Sequence, residues 1–246
     1  MRLDWREIGI LAVTLLATSV LQAAPATDES CPGSGLSLRY EAYIAGVNAG
    51  EANVQLSRVG TAYRVSGKAR SKGLWESIQQ WRAEYSVTGQ LTPERLVAPK
   101  HFYSLQTTPK KRREIHIEDG ILKETKNHKV RDPRPAQTGY DLLSALFFLP
   151  KCQAQARVHT GRDGYEFTRI SAPAGAESCS YKVVAEEGTD YRLELTYRRL
   201  AGFNVPAVIS VRGPLPGRMV LAESAVISES ELEAQAAECT AGLSLK

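Results

Sequence analysis

Apolar and polar positions alternate along much of this chain. Leu36, Leu38, Tyr40 and Ala42 take every second place, as do Ala52, Val54 and Leu56, then Tyr63 and Val65, then Tyr85 and Val87. The pattern is cleanest further on. Cys179, Tyr181, Val183 and Ala185 share one face, Glu187-Gly188 reverses the chain, and Tyr191, Leu193, Leu195 and Tyr197 return. Successive side chains of a strand point to opposite faces, so a period of two predicts half-buried antiparallel strands. Asp119-Gly120 and Asp163-Gly164 fall between apolar runs, where a two-residue hairpin turn needs positive φ. Many short strands joined by such turns predict a mainly β fold: an antiparallel, strongly curved sheet, or a spiral or closed β-barrel.

Three segments carry a helical pattern instead. Trp75, Ile78 and Trp81 are spaced by three, which places them near one helical face. Asp141 to Leu149 is apolar almost all round, opens on an aspartate suited to N-capping and stops at Pro150. Such a helix belongs deep against the sheet. At the C-terminus Ser230 and Glu233 form a capping box ahead of Leu232, Ala236 and Cys239, predicting a helical tail. Arg131 to Gly139, with two prolines, is the best loop candidate.

The first residues follow another rule. Arg2 and Arg6 precede an apolar run from Ile8 to Leu21, and small residues follow, ending in Ala24-Pro25-Ala26. This order is that of a secretory signal peptide. The run is shorter than the roughly 20 residues that span a bilayer. We therefore expect residues 1–26 to be removed, and residues 27–246 to form one β-rich domain in the periplasm without a transmembrane segment. A composition of 43% hydrophobic and 24% charged residues suits a globular chain and not a disordered one.

The net charge of +4 is unevenly spread. Nine Lys/Arg face five Asp/Glu between Lys110 and Arg134, so this strip carries nearly all the excess. It suits anionic headgroups or an acidic envelope polymer. It equally suits a solvated hairpin whose lysines repel edge-to-edge pairing. In an oxidising compartment, Cys31, Cys152, Cys179 and Cys239 are expected as disulfides. Four cysteines allow three pairings. The preferred one joins Cys152, after the buried helix, to Cys179, at the start of the tyrosine-rich hairpin, leaving Cys31 with Cys239.

Signals for catalysis are absent from the sequence. There is no Cys-x-x-Cys, Gly-x-Ser-x-Gly, phosphate-binding loop or dinucleotide fingerprint. His101, His116, His128 and His159 lack metal-site spacing, and an exposed strand explains His116 with Glu118 better than a shared metal does. A triad assembled in space leaves no such signature. We expect no catalytic residue, metal, cofactor or nucleic-acid partner. Trp75, Trp81, Phe147 and Phe148 are candidates for lining an apolar cavity, with ordinary core packing as the alternative. Lys110, Lys111, Arg112 and Arg113 are candidates for a basic rim that holds a phosphate.

Four stretches in order carry a resemblance: Tyr40–Ala52, Gly89–Pro93, Tyr140–Leu149 and Leu200–Ala207. Together they resemble the exported bacterial family called domain of unknown function 3108, over most of residues 36 to 227. The resemblance implies a periplasmic protein of Gram-negative bacteria rich in antiparallel β structure. That family is similar, at fold level, to spiral-barrel envelope-integrity proteins and curved-sheet lipoprotein carriers. It brings no established catalytic residues. The sequence therefore supports a non-catalytic envelope protein that binds a lipid, lipoprotein or protein partner. The alternatives are a surface interaction module without a cavity and a hydrolase with an unrecognised site.

Overall fold

The alternating segments pair into one sheet of 16 strands in the computed structural model, which describes residues 33–78, 80–91, 96–108, 111–173, 177–213, 216–228 and 232. All of these fall in one compact unit, Pro32–Lys246. The first half is an antiparallel meander of β1 (Gly33–Ile44), β2 (Val47–Val59), β3 (Ala62–Ser71), β4 (Arg82–Leu91), β5 (Leu96–Thr108), β6 (Lys111–Glu118) and β7 (Ile121–Lys126), with helix α1 (Leu74–Ile78) between β3 and β4. Two short strands, β8 (Lys129–Val130) and β9 (Arg134–Pro135), both pair with β7. Then come β10 (Tyr140–Asp141) and helix α2 (Leu142–Phe148). A second meander follows: β11 (Gln155–His159), β12 (Gly164–Ser171), β13 (Ser178–Ala185), β14 (Asp190–Leu200), β15 (Phe203–Arg212) and β16 (Gly217–Val226). The halves join because β16 pairs antiparallel with β1.

Contacts across the sheet require strong curvature. In ladder order β10 and β5 are eleven steps apart, which is about 50 Å on a flat sheet. Yet β10 packs against β5, and α2 touches β4 and β5 on one side and β11 and β15 on the other. A seven-residue helix is only about 10 Å long, so the sheet curls around it. The ladder stays open, ending at β10 and β8, which do not pair. A closed barrel is thus replaced by an open curled sheet, because the β10 end turns onto the face of β5.

The core follows the period-two pattern. Leu36, Leu38, Tyr40, Ala52, Val54, Leu56, Tyr63, Val65 and Val87 are buried with Phe147 of α2, Phe203 and Val205. A second cluster gathers Tyr181, Val183, Leu193, Leu195 and Tyr197 around Cys152 and Cys179. These cysteines form the predicted disulfide, with Cα atoms 5.6 Å apart. Among the described residues no helix is long and apolar enough to cross a membrane.

Several local expectations change. Helix α1 ends at Ile78, so Trp81 lies beyond it, beside β4, where its backbone bonds Ser71. Asp119-Gly120 does form a hairpin turn, both residues having positive φ. Asp163-Gly164 does not. His159 pairs with Gly164, so the connection is the four residues 160–163, with positive φ at Gly161. The Arg131–Gly139 stretch is pinned: Arg134-Pro135 pairs with β7, and the Ala136 N–H donates to the Gly120 carbonyl at 2.8 Å. The signal segment, Cys31, Cys239 and the C-terminal helical tail lie outside the described residues, Leu232 apart.

Candidate functional site

Where β10 meets β5, a group of polar side chains is sealed into the curl. Asp141 is 2% exposed and caps α2: its Oδ1 accepts from the Ser144 N–H at 2.9 Å and from the Tyr85 O–H of β4 at 2.8 Å. Tyr85 also contacts His101 Nδ1 of β5 at 3.1 Å. Tyrosine has one proton to give, and Asp141 takes it. The network therefore assigns the His101 proton to Nδ1, which donates to the Tyr85 oxygen. Among the described residues His101 Nε2 is left as a bare, buried acceptor, and Asp141 Oδ2 likewise has no partner. The His101 ring lies 6.0 Å from that of His159 on β11. His159 Nδ1 accepts from the Gly161 N–H at 3.1 Å, which puts its proton on Nε2.

Burial dominates the electrostatics. It pushes the His101 imidazole down to about 4; the Asp141 carboxylate works the other way, and the facing His159 adds to the lowering. His159 is lowered by burial too, against the pull of Asp141. Burial and then the Asp141 charge hold the Tyr85 phenol well above its ordinary range. Ser144 faces no histidine here; its hydroxyl accepts from the Tyr63 O–H at 2.9 Å. The chemistry these bonds perform is to fix α2 across the concave face from β3, β4 and β5. Among the described residues no three His, Cys, Asp or Glu side chains are grouped to hold a metal.

The outward face carries charge. Register places Glu51, Arg70, Arg82, Gln106 and Arg112 in one row across β2 to β6. Asn53, Lys68, Glu84, Ser104 and Glu114 form the next row. Most charges are matched. Glu51 pairs with Arg70 and Lys72, Lys68 with Glu84, and Arg112 with Glu114. Arg82 has no acidic partner among the described residues, and it sits directly opposite Arg70. A groove of about 380 Å³ runs along these rows. A second, of about 240 Å³, shares Arg70, Arg82 and Gln106 with it and continues to Trp81. A third, of about 560 Å³, lies on the outer side of β14, β15, β16 and β1, by Glu194, Ser210, Arg218 and Tyr43.

The residues singled out in the sequence are dispersed. Phe147 and Phe148 sit in the core, the Phe148 ring tilted against that of Tyr63 with centroids 4.4 Å apart. Trp75 on α1 and Trp81 just past it are half-buried, and the Trp81 ring covers Gly50, where a Cβ would lie 3.2 Å away. The four aromatics thus form two separate pairs. Lys110 lies outside the described residues, and Lys111 is exposed. Arg112 points outward, while Arg113 points in to Glu124, 3.1 Å away. Glu124, 3% exposed, also draws Arg131 and Arg134 to 3.6 and 3.7 Å. Part of the basic strip therefore neutralises one buried carboxylate. Sequence reasoning missed Tyr85, Asp141, His101 and His159 as a group, and it missed the Arg70–Arg82–Arg112 row.

The fold and these arrangements define a class: an open, curled antiparallel sheet with a helix latched across its concave face by buried polar bonds. The chain belongs to the family described as Protein of unknown function (DUF3108), whose profile matches residues 39–188. That span contains the Tyr40–Ala52, Gly89–Pro93 and Tyr140–Leu149 stretches; Leu200–Ala207 follows it. Among solved structures, the chain is similar to a β-barrel-like protein of domain of unknown function DUF1849 from Brucella abortus. The identity is 7% and the TM-score 0.44, with 79% of this chain and 98% of that one covered. No curated protein matches the chain.

Proposed function

We propose that this chain is a non-catalytic binding protein of the cell envelope that engages its partner through the outer surface of the sheet. One observation carries this reading: α2 occupies the concave face. Leu143, Leu146, Phe147 and Phe148 pack there against the core, in the place where a carrier would keep an acyl chain. The grooves described above are lined mainly by outward-facing residues, Ala69 and Ala83 of the first belonging to the inward row. The polar cluster inside is engaged in holding α2, which suits a structural part and not a reaction centre. The envelope location rests on the N-terminal pattern of charge, apolar run and small residues, together with the Cys152–Cys179 bond.

Native mass spectrometry of the gently purified protein tests the reading. The expected result is the mass of the polypeptide alone. A retained lipid, lost when Phe147 and Phe148 are changed to alanine, would replace this proposal with an interior carrier.

A further inference from the structure

We propose that α1 and the groove beside it form a docking surface for an anionic phospholipid leaflet. The inference rests on the outer-surface reading and names the partner. Two unrelated features meet at this corner. Leu74 and Ile78 are 64% and 66% exposed, and residues four apart lie on the same side of a helix. Arg70 and Arg82, a few residues before and after α1, face each other in register on β3 and β4. Like charges directly opposite on neighbouring strands repel, and Arg82 has no acid among the described residues to relieve it. An anion placed over the pair supplies the missing counter-charge, and arginine binds phosphate oxygens in a fork geometry.

Between the two features stands Trp81, half-buried and lining the groove with both arginines. Apolar side chains next to an indole and then cations is the order met on passing from acyl chains to headgroups. A soluble anion would use the arginines and leave Leu74 and Ile78 in water. A lipid surface uses both. The linings of the two grooves together carry Lys68, Arg70, Arg82 and Arg112 against Glu76 and Glu84. With Arg70 and Arg112 also paired to Glu51 and Glu114, Arg82 is the cation left for an anionic headgroup, which favours an anionic leaflet over a zwitterionic one.

Co-sedimentation of the purified protein with vesicles tests the proposal. One set contains phosphatidylglycerol mixed with phosphatidylcholine, and the other phosphatidylcholine alone. Binding is expected only to the first set, weakening as salt rises. Arg82→Glu should weaken it by about 25-fold, since the reversal changes the charge by two and each unit of charge near an anionic surface contributes about fivefold. The double variant L74S/I78S should weaken it at unchanged charge; both positions are exposed, so its fold should be kept, as circular dichroism would report. Lys182→Glu, on β13, should leave binding unchanged. Equal binding to both vesicle sets, no binding at low salt, or binding indifferent to Arg82→Glu and L74S/I78S would overturn the proposal. So would a concentration-dependent dimer that L74S/I78S dissociates while vesicles stay unbound. In each of those cases the outer-surface reading stands or falls separately, on whether native mass spectrometry finds a lipid held inside.

Discussion

One oxygen, Asp141 Oδ1, holds both the start of α2 and the hydroxyl of Tyr85. Removing that hydroxyl leaves a buried carboxylate short of a donor and a histidine N–H without an acceptor. Tyr85→Phe should therefore cost about 2–3 kcal/mol, whereas Tyr63→Phe, which loses a neutral bond to Ser144, should cost about 1 kcal/mol. Urea unfolding of the two variants compares them directly, and equal losses would contradict the special place given to Asp141. His101 sets a pH dependence. Above pH about 6.5 the ring is neutral in both states. Below it, the unfolded chain binds a proton that the folded ring refuses until about pH 4. Stability should therefore fall as pH drops through this window, by on the order of 3 kcal/mol in total. The lowering of His159 acts in the same direction. Urea midpoints between pH 7 and 4.5 measure the slope, and in His101→Gln it should be shallower.

At the scale of elements, α2 is tied at both ends: by Asp141 at its start and by the Cys152–Cys179 bond just past its end. The disulfide closes a loop over a separation of 27 residues, so replacing both cysteines by alanine should cost roughly 3–4 kcal/mol. Thermal melts with and without reductant would show it. Gly50 is another fixed point. A Cβ there would lie 2.4 Å from the Arg70 carbonyl oxygen and against the Trp81 ring, so Gly50→Ala should cost about 1–3 kcal/mol. The same scale explains what the sequence could show. Leu36, Leu38 and Tyr40 announce their strand because one face is buried and the period is two. Asp141 and Pro150 mark the helix because capping and termination are local. Tyr85 and Asp141 are 56 positions apart, and His101 and His159 meet only because the sheet curls. No local pattern encodes either meeting. The Arg70–Arg82–Gln106–Arg112 row is hidden for another reason. Irregularities between Thr88 and Gln90, and between Gln106 and Thr108, set the register of β4, β5 and β6. A slip of one residue would send these side chains to the other face.

For the molecule as a whole, the curl makes the β10–β5 contact a seam between the two halves of the sheet. The seam is held by a few polar bonds and one tilted pair of histidine rings, not by a backbone ladder. It should therefore open before the meanders do. In hydrogen exchange, Tyr85→Phe should lower protection of β4, β5, β10 and β11 together and leave the β13–β14 hairpin unchanged. Uniform loss over both would mean that the sheet opens as one unit.

The pairing of β16 with β1 has a consequence for synthesis. Leu36 meets Val226, the first long strand of the described residues waiting for the last. A partner 190 positions away must be made before that edge is covered, and closing such a loop is slow compared with forming any hairpin. Until then Leu38 and Tyr40 lie at an open strand edge, able to pair with whatever is nearby. A chain halted before Gly217 should accordingly remain open to proteases, however complete its earlier hairpins are.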